Sequence, residues 1–285
     1  MATTDYLNIT SDAAFHQYMD RLAARGVQEI ALDFEGEFNL HVYGNHLCLV
    51  QVFDGQDFVI VDPFKVGPAA LKRFLEEPSI AKIIYDCASD GALVAEEFGI
   101  KLGPVIDLKP AVDLLAFPKR DLSTILFDVL GIAVIKKKKF QMYNWMTRPI
   151  NHEAMEYALN DVRELYRLKD ELMSRLQAAG LRAEWDAKNL RQQPDGLKKQ
   201  RTPRLFKSFD YQKLNAEAKK RFEDLFQRRE AIARDFNLPP NSVVENAQLF
   251  ELARARLTIN QVRFNRRLSD ADCRRVVREL GEPAQ

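Results

Sequence analysis

The chain has 285 residues, 46% of them hydrophobic and 29% charged, with a formal net charge of +1. That length predicts two domains, and that composition a true core and a solvated surface rather than disorder. No apolar run approaches the roughly 18 residues a membrane span needs, and three scattered cysteines and four histidines, in no CxxC or HxxxH pairing, argue against a disulfide framework or a zinc site.

The opening, MATTDYLNITSDAAFHQYMD, has no basic stretch leading into an apolar core, so no signal peptide and a cytoplasmic location are expected. Residues 28–35 (QEIALDFE) read as a strand with Ile30, Leu32 and Phe34 on one face and Ala31, Asp33 and Glu35 on the other. Two further strands, Leu47–Phe53 and Phe58–Val61, flank the turn signal Asp54-Gly55. With Tyr43-Gly44-Asn45 as another turn, this predicts an antiparallel meander. Next come a helix at Pro68–Glu77, a short strand at Ala81–Tyr85, and helices at Ser89–Phe98, Leu108–Ala116, Leu122–Leu130 and Glu153–Leu176. Strands paired first and then joined through helices predict an α/β mixed sheet with flanking helices.

Gly180, Pro194-Asp195-Gly196 and Pro203 punctuate a basic stretch that reads as a linker over 179–207. Beyond it, helical patterns at Tyr211–Phe236, Asn246–Arg254, Asn260–Arg267 and Asp270–Leu280 predict a small all-α domain. The expected domains are therefore 1–178 and 208–285. Residues 1–190 hold 21 Lys and Arg against 28 Asp and Glu, a balance of −7, whereas the rest of the chain is at +8.

Period-2 geometry puts the Asp33 and Glu35 carboxylates side by side. Tyr157 and Asp161 lie four apart, so they share one face of their helix. Asp90 falls in the first turn of its helix, where the helix dipole favours an anion, and Asp86 or Ser89 is placed to cap that helix. Taken singly, each acid fits an ordinary surface. Together, Asp33, Glu35, Asp90 and Asp161 form a set that hard, oxygen-seeking cations require. Two divalent ions would relieve the mutual repulsion of these acids and serve phosphoryl transfer, with the Tyr157 phenol orienting an attacking water.

These residues resemble the motifs of the ribonuclease D group of DEDD exonucleases, in the subclass with tyrosine in its third motif. ALDFEGE resembles the first motif, IIYDCASDGALV the second, and Tyr157 with Asp161 the Y-x-x-x-D third motif. The sister subclass has histidine where this chain has Glu156. The family usually has histidine or a small residue where this chain has Tyr85. Leu122–Ile132 followed by NWMTRPI resembles the run that precedes the third motif. RFEDLFQRREAIARDFNLPPNSVVENAQLFELA is similar to the HRDC module that follows the nuclease domain in this group.

The resemblance implies a ribonuclease-H-like fold with an HRDC-like domain behind it. It implies a 3′–5′ exonuclease using two Mg²⁺ or Mn²⁺ ions that trims single-stranded RNA from its 3′ end to 5′-mononucleotides, in RNA processing or turnover. Asp33, Glu35, Asp90 and Asp161 would hold metal and Tyr157 would place the water. Lys136, Lys137, Lys138 and Lys139, together with Arg148, Arg263, Arg266 and Arg267, are the expected nucleic-acid contacts, with Arg254 and Arg256 beside them. The rival readings are DNA as the polymer, or a binding scaffold with a vestigial site.

Overall fold

The computed structural model describes residues 4–133, 138–191 and 202–281. The chain divides into two compact units. The first runs to Gly36 and resumes at His46; the second combines Glu37–Asn45 with the C-terminal helices.

The first unit is built on a mixed sheet of order β1-β4-β3-β2-β5-β6. Here β1 (Tyr6–Ile9) runs parallel to β4 (Phe58–Val61), which is antiparallel to β3 (Asn45–Phe53) with Phe53 opposite Phe58. β2 (Glu29–Phe38) runs parallel to β5 (Ala81–Ile84), and β5 parallel to β6 (Val105–Asp107). Gly55 turns the β3–β4 hairpin at φ +88°, a conformation open to glycine.

Alternation along β2 sends its side chains to two different cores. Ile30, Leu32 and Phe34 pack with Phe15, Leu22, Phe74 and Val94 from α1 (Asp12–Ala24), α2 (Pro68–Leu75) and α3 (Ala88–Phe98). On the opposite face, Ala31 and Ile83 meet α4 (Lys109–Leu114), α5 (Leu122–Leu130), α8 (Leu165–Ala178) and α9 (Arg182–Arg191) through Val112, Ile125, Leu168 and Trp185. Also on that side, α6 (Lys138–Gln141) and α7 (His152–Arg163) bring Phe140, Ala154 and Ala158 onto Cys48, Leu49 and Ile60. The sheet face bearing Asp33 and Glu35 is therefore covered by helices rather than turned to water. Ala154 and Ala158 contribute little by burial, since each adds only one methyl at about 0.8 kcal/mol. Their consequence is geometric: small residues let α7 approach the sheet closely.

The second unit is helical: α10 (Phe209–Gln212), α11 (Ala216–Phe236), α12 (Pro240–Val243), α13 (Asn246–Ala253) and α14 (Asp270–Gly281) enclose Phe222, Ile232, Leu249, Phe250 and Val276. The Asn215 side chain accepts the N–H of Ala218 to start α11, and Asn237 ends it in the left-handed region. Arg229 is buried and donates to the Val244 carbonyl at 3.1 Å and to Asn246 Oδ1 at 2.7 Å, which pins the turn into α13.

Several elements differ from expectation. The helix expected over Glu153–Leu176 is two, α7 and α8, parted at Glu164 (φ −107°, ψ 6°). Ten residues of the expected linker, Arg182–Arg191, are a packed helix instead: Trp185 of α9 is buried and Asn189 bonds both ways with β6. The helix expected at Asn260–Arg267 is a 3-10 turn at Ile259–Gln261 followed by irregular chain. The strands β1 and β6 are too short to carry a readable alternation.

Candidate active site

Three acids expected to act together do meet. Carboxylate oxygens of Asp33 and Glu35 on β2 and of Asp161 on α7 all lie within 4.8 Å of one another. Asp90, in the first turn of α3, stands beside this group; its charge bears on Glu35, and Asp33 is its largest charged influence. It is not one of the three whose oxygens converge.

The approach of α3 is set from β6. The Asp107 carboxylate accepts the backbone N–H groups of Asp86 at 2.9 Å, Cys87 at 3.3 Å and Lys109 at 2.9 Å. Neither Asp86 nor Ser89 caps the helix. Cys87 occupies the cap position without a side-chain capping bond, and Asp86 instead pairs with Lys109 at 3.2 Å. The sequence signal for Asp107 was slight, an acid at the end of a three-residue strand.

Burial raises the pKa of every acid in the group. The Asp33 carboxyl is pushed up to about 7 by desolvation, against the opposing pull of the Phe34 N–H. Glu35 is held well above its ordinary range by burial first and then by Asp33, Asp161 and Asp90. Asp90 and Asp161 rise for the same two causes, burial and then the charge of Asp33. Recessed anions that raise one another's pKa need positive charge between them, and an all-oxygen donor set fits a hard divalent cation. Tyr157 borders the group. Burial and the neighbouring carboxylates raise its phenol well above 10, so the hydroxyl stays protonated.

The basic residues divide. Lys136, Lys137 and the Lys138 side chain lie outside the described residues. Lys139 pairs with Glu153 and sits over the Phe140 ring at 5.0 Å. Arg148 does not face solvent as a phosphate contact. Its guanidinium donates to both Asp62 oxygens at 2.9 and 3.0 Å and to the carbonyls of Cys48, Trp145 and Thr147, which engages all five N–H groups. Within the second unit, Arg254 pairs with Asp210 and Glu251, and Arg267 donates to the His41 carbonyl at 3.2 Å. Arg256, Arg263 and Arg266 are exposed, with no ion pair among the described residues.

Comparison with known proteins agrees with this geometry. A model described as a 3′–5′ exonuclease matches residues 6–177, and an HRDC domain model matches residues 218–258. Ribonuclease D of Xanthomonas oryzae pv. oryzae is 29% identical over 240 residues, which cover 82% of this chain and 65% of that protein. Ribonuclease D of Escherichia coli is 30% identical over 181 residues, 62% of this chain and 46% of that protein. The chain thus spans less than two thirds of either relative. Among solved structures, the catalytic core of RRP6 from Trypanosoma brucei superposes with a TM-score of 0.78 at 19% identity, covering 98% of this chain and 82% of that one. That likeness shows the fold, a ribonuclease-H-like nuclease unit followed by helices.

Proposed function

The chain belongs to the 3′–5′ exonuclease family, and from that premise we propose that it is a metal-dependent 3′–5′ exoribonuclease that releases 5′-mononucleotides from single-stranded 3′ ends. The observation that carries this reading is the convergence of Asp33, Glu35 and Asp161 within 4.8 Å, with Asp90 alongside. These four residues would hold two divalent cations, Mg²⁺ or Mn²⁺. When bound, such ions lower the pKa of a water and stabilise the departing oxygen of a phosphodiester.

The protein's own groups do the rest. Asp33 and Glu35 are fixed by the strand and Asp161 by the helix, so the site is organised before any ligand arrives. Tyr157, protonated and beside Asp161, donates a hydrogen bond that orients the attacking water. Arg256, Arg263 and Arg266 are assigned to phosphate contacts that retain the polymer. We place the protein in the cytoplasm, in keeping with three cysteines that form no disulfide.

The test is a parallel digestion of matched RNA and DNA oligonucleotides, ending in 3′-hydroxyl or 3′-phosphate, with and without Mg²⁺ or Mn²⁺. The expected result is stepwise, metal-dependent shortening of the 3′-hydroxyl RNA, absent in Asp161→Ala. Faster loss of DNA would reassign the polymer. No shortening of either, alongside tight binding, would make the chain a scaffold.

A further inference from the structure

Nothing among the described residues hydrogen-bonds the Tyr157 hydroxyl, so its direction depends on how the ring is packed. A tyrosine turns about two side-chain torsions, and a small rotation near the backbone swings the hydroxyl on a long arm. Among the described residues one ring meets that of Tyr157: Phe140, 2% exposed, with centroids 5.0 Å apart and planes tilted by 34°. Phe140 is itself held in place. The neighbouring Lys139 pairs with Glu153 on α7, and the Tyr143 hydroxyl accepts the N–H of Asn151 at 3.3 Å where α7 begins. Tyr143 packs edge-on against both Phe140 and the buried Trp145, at 6.2 and 4.8 Å. Four aromatic rings thus run from Trp145 through Tyr143 and Phe140 to Tyr157, midway along α7, and the last of them carries the hydroxyl beside the acids.

We propose that Phe140 is a positioning residue that fixes the Tyr157 hydroxyl toward the Asp33, Glu35 and Asp161 cluster. The proposal rests on the reading of Tyr157 as the group that orients water. Phe140 itself touches no reacting atom; it acts by closing one side of the space the phenol ring would otherwise sweep.

The test uses the full chain with Phe140→Leu, Phe140→Tyr, Tyr157→Phe and the Phe140→Leu/Tyr157→Phe double variant, under single turnover on a labelled 3′-hydroxyl RNA with Mg²⁺. Phe140→Leu is expected to lower the rate constant about tenfold without weakening RNA binding. Phe140→Tyr, which keeps the ring face, is expected to recover most of that loss. With the hydroxyl already removed in Tyr157→Phe, adding Phe140→Leu is expected to cost nothing further, whereas a general structural defect would cost the same in both backgrounds. An additive loss, or a wild-type rate in Phe140→Leu, overturns the proposal. A second readout needs no turnover: in tyrosine-labelled protein, the Tyr157 ring resonance, assigned by its disappearance in Tyr157→Phe, should move in Phe140→Leu and hold in Phe140→Tyr. An unmoved resonance in Phe140→Leu overturns the proposal even if the wild-type chain proves inactive, an outcome that would count against the functional reading instead.

Discussion

Asp107 grips the residue that turns the chain into α3, accepting the N–H of Asp86 at 2.9 Å where Asp86 has φ +66°. A side-chain-bearing residue in the left-handed region is strained and persists only where its surroundings hold it. Asp107 supplies that hold and also binds the N–H groups of Cys87 and Lys109. Asp107→Ala should therefore lower the unfolding free energy by about 2–4 kcal/mol, since three N–H groups lose a buried acceptor. Because Asp90 sits four residues beyond the turn, the variant should also bind Mg²⁺ more weakly in calorimetry. Unchanged metal affinity in a folded Asp107→Ala protein would separate the turn from the site.

The acid cluster ties stability to pH in a definite direction. The Asp33 carboxyl rises from 3.8 to about 7 on folding, so between those values the folded chain holds a proton that the unfolded chain has lost. The stabilising effect of that proton is fully present below pH 3.8 and fades as pH climbs through about 7. Metal-free protein should thus gain more thermal stability from added Mg²⁺ or Mn²⁺ at pH 8 than at pH 5. Asp33→Asn, which removes the buried charge, should melt above wild type at pH 8 without metal and respond little when metal is added. Melting curves at the two pH values check both statements.

How much of this was legible depended on length scale. The β3–β4 hairpin could be read because Asp54-Gly55 lies between two alternating segments, and Asp33, Glu35, Tyr157 and Asp161 could be paired because periods of two and of four are local geometry. That helices cover both sides of β2 could not be read, since Ala31, Asp33 and Glu35 look like a wet face until α7 and α8 are folded onto them. Arg148 showed the same difficulty. Its charge suggested a phosphate, while its partner Asp62 lies 86 positions away. Phe140 gave no signal, because an aromatic residue after four lysines says nothing about the ring it will meet.

Tyr157→Phe should leave the fold and the metal site intact, since the ring stays against Phe140 and the acids keep their positions. Only the donated hydrogen bond is lost. Turnover should fall by a factor on the order of 10² while RNA affinity stays within about twofold, the pattern of an interaction made chiefly in the transition state. A matching drop in affinity would mean that the hydroxyl holds substrate rather than water.

Two sets of arginines should respond oppositely to removal. Arg148→Ala leaves Asp62, 6% exposed, without its cation and takes donors from the Cys48 and Trp145 carbonyls. Breaking such a recessed pair costs about 3 kcal/mol, so the variant should melt early, and its RNA affinity should keep the wild-type salt dependence wherever it remains folded. The paired substitution of Arg263 and Arg266 by alanine removes exposed charges with no ion pair among the described residues, and the melting temperature should not move. RNA binding should weaken instead, with the slope of log affinity against log salt reduced by up to about 1.4 for a single strand if both side chains neutralise phosphates. A slope unchanged by the double substitution would leave the basic tail as a solvated surface and shift the search for phosphate contacts to the nuclease unit.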